Sequence, residues 1–330
     1  MLSAEEPHSK EEQIMKIGII RHESGPCLAA FYGENWVSVP KALEVLGEKP
    51  INEMAEFIDT YCDTVVDLNR RIEELYLSGA AADYTYPVAG AEFLPPLPAV
   101  PKFFTARGNS ALHTRMRKLP ICKQPVMEQR YNFNLAGHLT TSVMKDGFKG
   151  FGWNYEMVVV MGKPCHGITK DEAEAHIFGY TNMLEYAGGY GNPFFEGGRW
   201  DFPEEQKVFA DYAYGDCYNG NTQTPTPIGP YITTKDEVGD PHDQLLEERE
   251  NGRLVSLGSG KAVTYTINEM VAYASGFMTL RPGDMFSTAS ITYDAYQSFP
   301  GRYPENSYIQ IKTEKLGTLR LLIKDERKEI

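Results

Sequence analysis

Five prolines crowd into the segment from Tyr86 to Lys102, YPVAGAEFLPPLPAVPK, and they divide the chain into two unlike parts. Each proline fixes its own backbone near an extended conformation and withholds a hydrogen-bond donor, so neither a helix nor a central strand can run through the segment. A module boundary is therefore placed there. The expected organisation is a tail at 1–14, a small N-terminal α/β module with the proline-rich linker at 15–100, and a larger domain at 101–330.

On the N-terminal side, Met15 to Arg21 has the β-branched richness of a strand, and Leu28 to Tyr32 and Trp36 to Ser38 can pair with it around Gly33. A small N-terminal sheet is expected. From Ile51 the residues Ile51, Met54, Ile58, Tyr61, Val65, Leu68, Ile72 and Leu75 recur at spacings of three and four, which predicts one long amphipathic helix stopping near Gly79. Beyond the prolines, strand-like runs at Met157–Met161, Ile228–Thr233, Leu254–Leu257, Met285–Thr288, Tyr308–Lys312 and Thr318–Ile323 alternate with turns. Thr169 with Glu172, and Thr266 with Glu269, have the spacing of capping boxes and predict two short helices. The class is α+β and β-rich.

Composition excludes several roles. Hydrophobic residues are 42% and charged residues 23% of the 330, and no run reaches the length of apolar sequence a membrane helix requires. The net charge of −13 and the lack of a Lys/Arg cluster argue against a nucleic-acid surface. The five cysteines are scattered without a Cys-x-x-Cys pair and read as reduced thiols of a cytoplasmic protein. Met1 to Gln13 is polar and acidic, reads as disordered, and is not a secretory signal.

Six fragments, in order, resemble the fumarylacetoacetate hydrolase superfamily. They are Val100–His113 (VPKFFTARGNSALH), Trp153–Lys163 (WNYEMVVVMGK), Gly179-Tyr180-Thr181, Pro227–Thr234 (PIGPYITT), Thr279–Asp284 (TLRPGD) and Tyr308–Leu321 (YIQIKTEKLGTLRL). Each is weak alone, but their order and spacing across residues 100 to 325 are specific. The resemblance implies a mixed β-roll with short flanking helices, a homodimer, and a divalent metal held by three acidic side chains. It also implies chemistry on small 2-oxo acids or 1,3-dicarbonyl acids. No organic cofactor is expected.

Carried onto this sequence, the resemblance places the metal ligands at Asn154, Glu156 and Glu185. Residues two apart in a strand share a face, so Asn154 and Glu156 can look at one ion together. Two carboxylates and an amide oxygen suit Mg²⁺ or Ca²⁺, and the neutral Asn154 weakens the set by one charge. The resemblance places the family's catalytic base at His113, and an unperturbed histidine side chain changes charge near neutral pH. Met116 stands where many members carry a glutamate that orients this histidine, and a thioether cannot take that part. Arg107 is placed as a cation for a substrate carboxylate, with Arg130 and Tyr131 as further substrate contacts.

The charged substrate-gripping residues of the family are replaced here by Ala187–Asn192 and by Asn219–Thr224, and its glycine turn by Ser287–Ser290. Tyr190 and Asn192 in the aromatic run Tyr186–Phe195 suit a bulkier, partly apolar ligand. The expected function is an enzyme working through an enolate by C–C cleavage, decarboxylation, isomerisation or cyclisation. The alternative is a binding or scaffold protein that kept the fold and lost the reaction.

Overall fold

The structure, a computed structural model, describes residues 15–23, 25–116, 121–146, 148–149, 153–186, 189–190, 224–289 and 302–328. Its N-terminal strands form as the alternating sequence predicts: β1 (Lys16–His22), β2 (Gly25–Tyr32) and β3 (Asn35–Ser38) make an antiparallel meander. The turn into β3 holds Gly33 at φ +59°, a conformation open to a residue without Cβ. β4 (Thr85–Pro87) borders β3, and β5 (Glu92–Leu94) borders β1.

The apolar stripe from Ile51 forms two helices where one was expected. After α1 (Val39–Val45) come α2 (Met54–Tyr61) and α3 (Val65–Leu77). At the break, the Thr64 amide donates to the Tyr61 carbonyl at 2.9 Å, the Asp63 carboxylate is drawn to Lys163, and β-branched Thr64, Val65 and Val66 disfavour continuation. The expected stop is found, with Gly79 at φ +79° just past the cap.

The C-terminal part supplies β6 (Phe103–Arg107), α4 (Ala111–Met116), β7 (Val126–Arg130), β8 (Leu135–Ala136), β9 (Thr141–Met144) and β10 (Phe148–Lys149). Then follow β11 (Trp153–Met161), α5 (Lys170–Ala173), β12 (Ile177–Tyr186), β13 (Gly189–Tyr190), β14 (Thr226–Thr234) and α6 (Lys235–Val238). The chain closes with β15 (Leu245–Glu250), β16 (Arg253–Ser259), α7 (Ile267–Ser275), β17 (Met285–Ser287), β18 (Ser307–Thr313) and β19 (Gly317–Asp325). Both predicted capping boxes are present, at the starts of α5 and α7.

Among the described residues one sheet has twelve strands, running β4-β3-β2-β1-β14-β12-β11-β17-β6-β7, with β5 added on β1 and β8 on β14. β8 follows β7 by a few residues and pairs in parallel with β14, so the path from β14 to β7 curls back on itself as a roll. A second sheet runs β16-β15-β18-β19-β9, and β10 pairs with β13. The N-terminal strands are not a separate sheet. β1 pairs with β14, Ile17 opposite Ile232, and β5 from the proline-rich segment pairs with β1, Ile20 opposite Phe93.

Burial follows from this layering. One face of the large sheet packs Phe103, Val158, Val160, Met183 and Met285 against Leu43, Phe57, Ile58, Leu68 and Ile72 of the N-terminal helices. The opposite face packs Val159, Tyr180 and Phe286 against Ile267 and Val271 of α7. β11, covered on both sides, is buried at every position. At Gly179 a Cβ would run into the Thr233 carbonyl of neighbouring β14, which explains the glycine of the Gly-Tyr-Thr fragment. Among the described residues no helix is long and apolar enough to cross a membrane, and Cys27, Cys62, Cys122 and Cys165 are free thiols.

Candidate active site

Directly opposed residues of paired strands place their side chains on one face of a sheet. The register sets Asn154 opposite Glu185, Val158 opposite Ser287, Ser287 opposite Thr105, Thr105 opposite Glu128, and Phe103 opposite Arg130. With the two-residue alternation, Glu185, Asn154, Glu156, Ser287, Thr105, Arg107, Glu128 and Arg130 share the face that carries the larger apolar core. They form its polar end.

Because the roll curls back, Arg130 of β7 reaches β12 and β14. Its guanidinium donates to Glu185 Oε1 and, at 3.2 Å, to Thr226 Oγ1. Asn134 Nδ2 also donates to Thr226 Oγ1 at 3.2 Å and to the Thr224 carbonyl at 3.1 Å, fixing this end of β14. Asn154 Nδ2 donates to Glu185 Oε2 at 2.9 Å. A carboxylate only accepts, so the amide nitrogen must face it, and Oδ1 of Asn154 is left without a hydrogen bond among the described residues. Glu156 Oε2 is likewise buried and unbonded there.

The electrostatics differ along this face. Burial pushes the Glu156 carboxyl well above the usual range, and the negative Glu185 adds to the shift; Ser287 and Arg130 act the other way. Glu128 is pushed up to about 7, by burial first, against the charge of Arg107, with Glu185 raising it further and Arg130 lowering it. Arg107 Nη1 donates to Glu128 Oε2 at 2.9 Å, while Glu128 Oε1 is buried without a hydrogen bond among the described residues.

The three positions expected to hold a metal are thus brought together, but not as a cage. Among the described residues no group of three or more His, Cys, Asp or Glu gathers in a way that could hold an ion. Both oxygens of Glu185 already accept, from Arg130 and from Asn154. A guanidinium lies against the acid, and at an effective dielectric near 20 two unit charges about 4 Å apart repel by roughly 4 kcal/mol, doubled for a divalent ion. These residues as arranged do not fit a divalent ion.

The remaining expected residues are dispersed. His113 lies on α4, beginning just beyond Arg107 in the chain; its side chain, like that of Met116, is outside the described residues. Arg130, expected to meet substrate, has a fully buried side chain engaged with Glu185. Tyr131 next to it is 49% exposed and pairs loosely with Phe133, ring centroids 6.4 Å apart, so the two neighbours face different surroundings. Tyr190 lies on β13 opposite Phe148 with its side chain outside the described residues, and Asn192 falls outside them altogether.

Several motif residues hold the frame instead of the reactants. Lys102 pairs with buried Asp284 at 2.7 Å, joining the first and fifth fragments. Asn109 accepts from the Tyr265 amide at 2.7 Å and donates to the carbonyls of Tyr265 at 3.0 Å and Thr288 at 3.2 Å. Thr181 donates to the Tyr231 carbonyl at 2.6 Å. Sequence reasoning missed Glu128, Thr226 and Asn134. The signal for Glu128 is a lone acid in the run Val126–Arg130, and it becomes meaningful only once β7 is set in register beside Arg107.

Comparison with known proteins bears on this geometry. Residues 102–323 match the family described as fumarylacetoacetate (FAA) hydrolase C-terminal. The chain is 25% identical over 274 residues to a 2,4-didehydro-3-deoxy-L-rhamnonate hydrolase of Sphingomonas sp. (strain SKA58), covering 79% of this chain and 89% of the relative. It is 24% identical over 234 residues to a mitochondrial oxaloacetate tautomerase of Homo sapiens, covering 71% of this chain and 69% of the relative. Among solved structures, maleylpyruvate hydrolase from Sphingobium sp. SYK-6, in complex with manganese(II) and pyruvate, aligns with a TM-score of 0.68 at 19% identity, over 94% of this chain and 99% of that one.

Proposed function

Because the chain belongs to the fumarylacetoacetate hydrolase family, we propose that it is an enzyme that moves a proton beside the carbonyl of a 2-oxo acid or 1,3-dicarbonyl compound, an isomerisation through an enolate. The observation that carries this reading is Glu128, a buried carboxyl with one unbonded oxygen and a pKa raised to about 7, on the same sheet face as Glu156. A base poised near neutral pH combines availability with driving force for taking a proton from carbon.

In this reading Glu128, as carboxylate, removes a proton from the carbon next to the carbonyl. The C–H electron pair becomes the C=C bond of the enolate, and the carbonyl oxygen takes up the negative charge. Glu156, kept neutral by burial, donates a hydrogen bond to that oxygen. Arg107, paired with Glu128, steadies the base and offers a cation to a substrate carboxylate. The enolate then takes a proton at the second position from protonated His113, on the helix after Arg107, and exchange with water removes the proton from Glu128 and restores the one on His113. The relatives' printed activities, hydrolysis and tautomerisation of oxo acids, agree with enolate chemistry. Isomerisation is preferred here because it needs only proton transfer, whereas hydrolytic cleavage needs an activated water and Met116 replaces the acid implied to orient His113 for it.

The test is proton exchange in D₂O followed by NMR on a panel of 2-oxo acids and 1,3-dicarbonyl acids, beginning with oxaloacetate. The wild type is expected to speed exchange at the carbon next to the carbonyl, with the rate rising as pH passes upward through about 7. Glu128→Gln should lower it by roughly 10²- to 10⁴-fold. Exchange at the uncatalysed rate for the whole panel, or an unchanged rate in Glu128→Gln, would sink the proposal.

A further inference from the structure

We propose that Arg130 is a built-in cation standing where a three-acid site would hold a divalent ion, so that the acid face of this chain is closed to metal. Four observations carry this. Its side chain is buried completely, as an ion in such a site would be, and it comes from β7, an element outside the expected ligand set. Its guanidinium takes one oxygen of Glu185, the acid at the third expected ligand position. The other oxygen is taken by Asn154, which has turned an N–H and not a carbonyl oxygen toward the centre. Thr226 and Asn134 form a short hydrogen-bonded chain behind the guanidinium, which holds it against Glu185.

The charges are complementary. A site of three carboxylates has enough negative charge for a divalent ion, but the neutral Asn154 leaves two acids, and one guanidinium already neutralises one of them. The two changes go together: with an acid at 154, Arg130 would leave one negative charge uncompensated, and with a neutral residue at 130, Glu185 would be buried without a cation. A planar guanidinium can also satisfy hydrogen bonds in fixed directions, as an ion does with its ligands. The inference concerns ion binding and stands apart from the proton-transfer reading, since its readout is a titration and not turnover.

The test uses the full chain. Isothermal titration with Mn²⁺ alone, and Mn²⁺ electron paramagnetic resonance, would be run on the wild type, Arg130→Gln, and Arg130→Gln combined with Glu185→Gln. The wild type is expected to show no site tighter than roughly millimolar. Arg130→Gln should free Glu185 and tighten Mn²⁺ binding by roughly tenfold or more, an effect removed by the added Glu185→Gln. A wild-type Mn²⁺ site of micromolar affinity that Glu156→Gln or Glu185→Gln abolishes would overturn the proposal, as would folded Arg130→Gln with unchanged affinity. If Arg130→Gln does not fold, the wild-type titration decides by itself.

Discussion

At the scale of single residues, burial sets which side chains carry charge, and His138 shows the consequence for stability. Its ring accepts the Arg320 amide hydrogen at Nδ1, 3.0 Å away, and lies edge-on to Phe93. Burial, and then the charge of Arg320, lower its pKa to about 4. In the unfolded chain the same histidine binds a proton below its ordinary value of 6.5. Between these values the unfolded state takes up a proton that the folded state refuses, so stability is full above 6.5 and is lost as pH falls toward 4. Urea titrations at stepwise pH should show a loss of about 3 kcal/mol across that window, flattened in His138→Gln. Equal slopes for the two proteins would show that this histidine is not responsible. Of the site residues, Asn154, Glu156 and Glu185 were expected from the family resemblance, and strand alternation sets Asn154 and Glu156 on one face of β11. Glu128 was missed, and Arg130 was expected as a substrate contact but not as the partner of Glu185, since these pairings depend on β6 lying beside β7 and on the closing of the roll onto β14.

Among the elements, the most readable features were those whose cause lies within one turn of chain. At α7 the Thr266 hydroxyl accepts from the Glu269 amide at 3.3 Å, and the Glu269 carboxylate accepts from the Thr266 amide at 3.0 Å. Both groups were visible in the sequence by their spacing. Thr266→Ala should therefore cost about 1 kcal/mol, read from the denaturation midpoint with an unchanged slope. A loss no larger than experimental scatter would mean that tertiary packing of Ile267, Met270 and Val271 holds the helix without its cap. The stripe over Ile51 to Leu75 was read correctly as helical but not as broken, because apolar spacing continues across residues 62–64 while the backbone does not. At the break Asp63 pairs with Lys163, from a distant part of the chain, a contact that local spacing cannot show. The six strand-like runs were found, since each alternates or is fully apolar, yet no local pattern says which strand neighbours which.

For the whole molecule the sequence suggests a boundary at the prolines that the sheet and core do not respect. β1 lies beside β14, and the helices before Gly79 supply Leu43, Phe57, Ile58, Leu68 and Ile72 to the same cluster as Phe103, Val158, Val160, Met183 and Met285. Proline content restrains the backbone locally, but the hydrophobic burial that joins two segments is set by which faces remain uncovered. A chain cut to residues 101–330 would expose the β14 edge and strip the cover from one face of the roll. Each lost Leu, Ile or Phe contact is worth about 1.5–3 kcal/mol, so five such residues outweigh much of the roughly 5–15 kcal/mol that holds a domain folded. The truncated chain is expected to aggregate, or to remain compact without fixed packing, with strong binding of a hydrophobic dye and no cooperative melt. If instead 101–330 melts in one sharp transition near the temperature of the full chain, the N-terminal module is a separable unit and its shared core contributes little. Mixing the truncated chain with a peptide of residues 15–100 gives the complementary reading: recovery of the sharp transition would locate the missing stability in the β1 to β14 pairing and the helices that cover it.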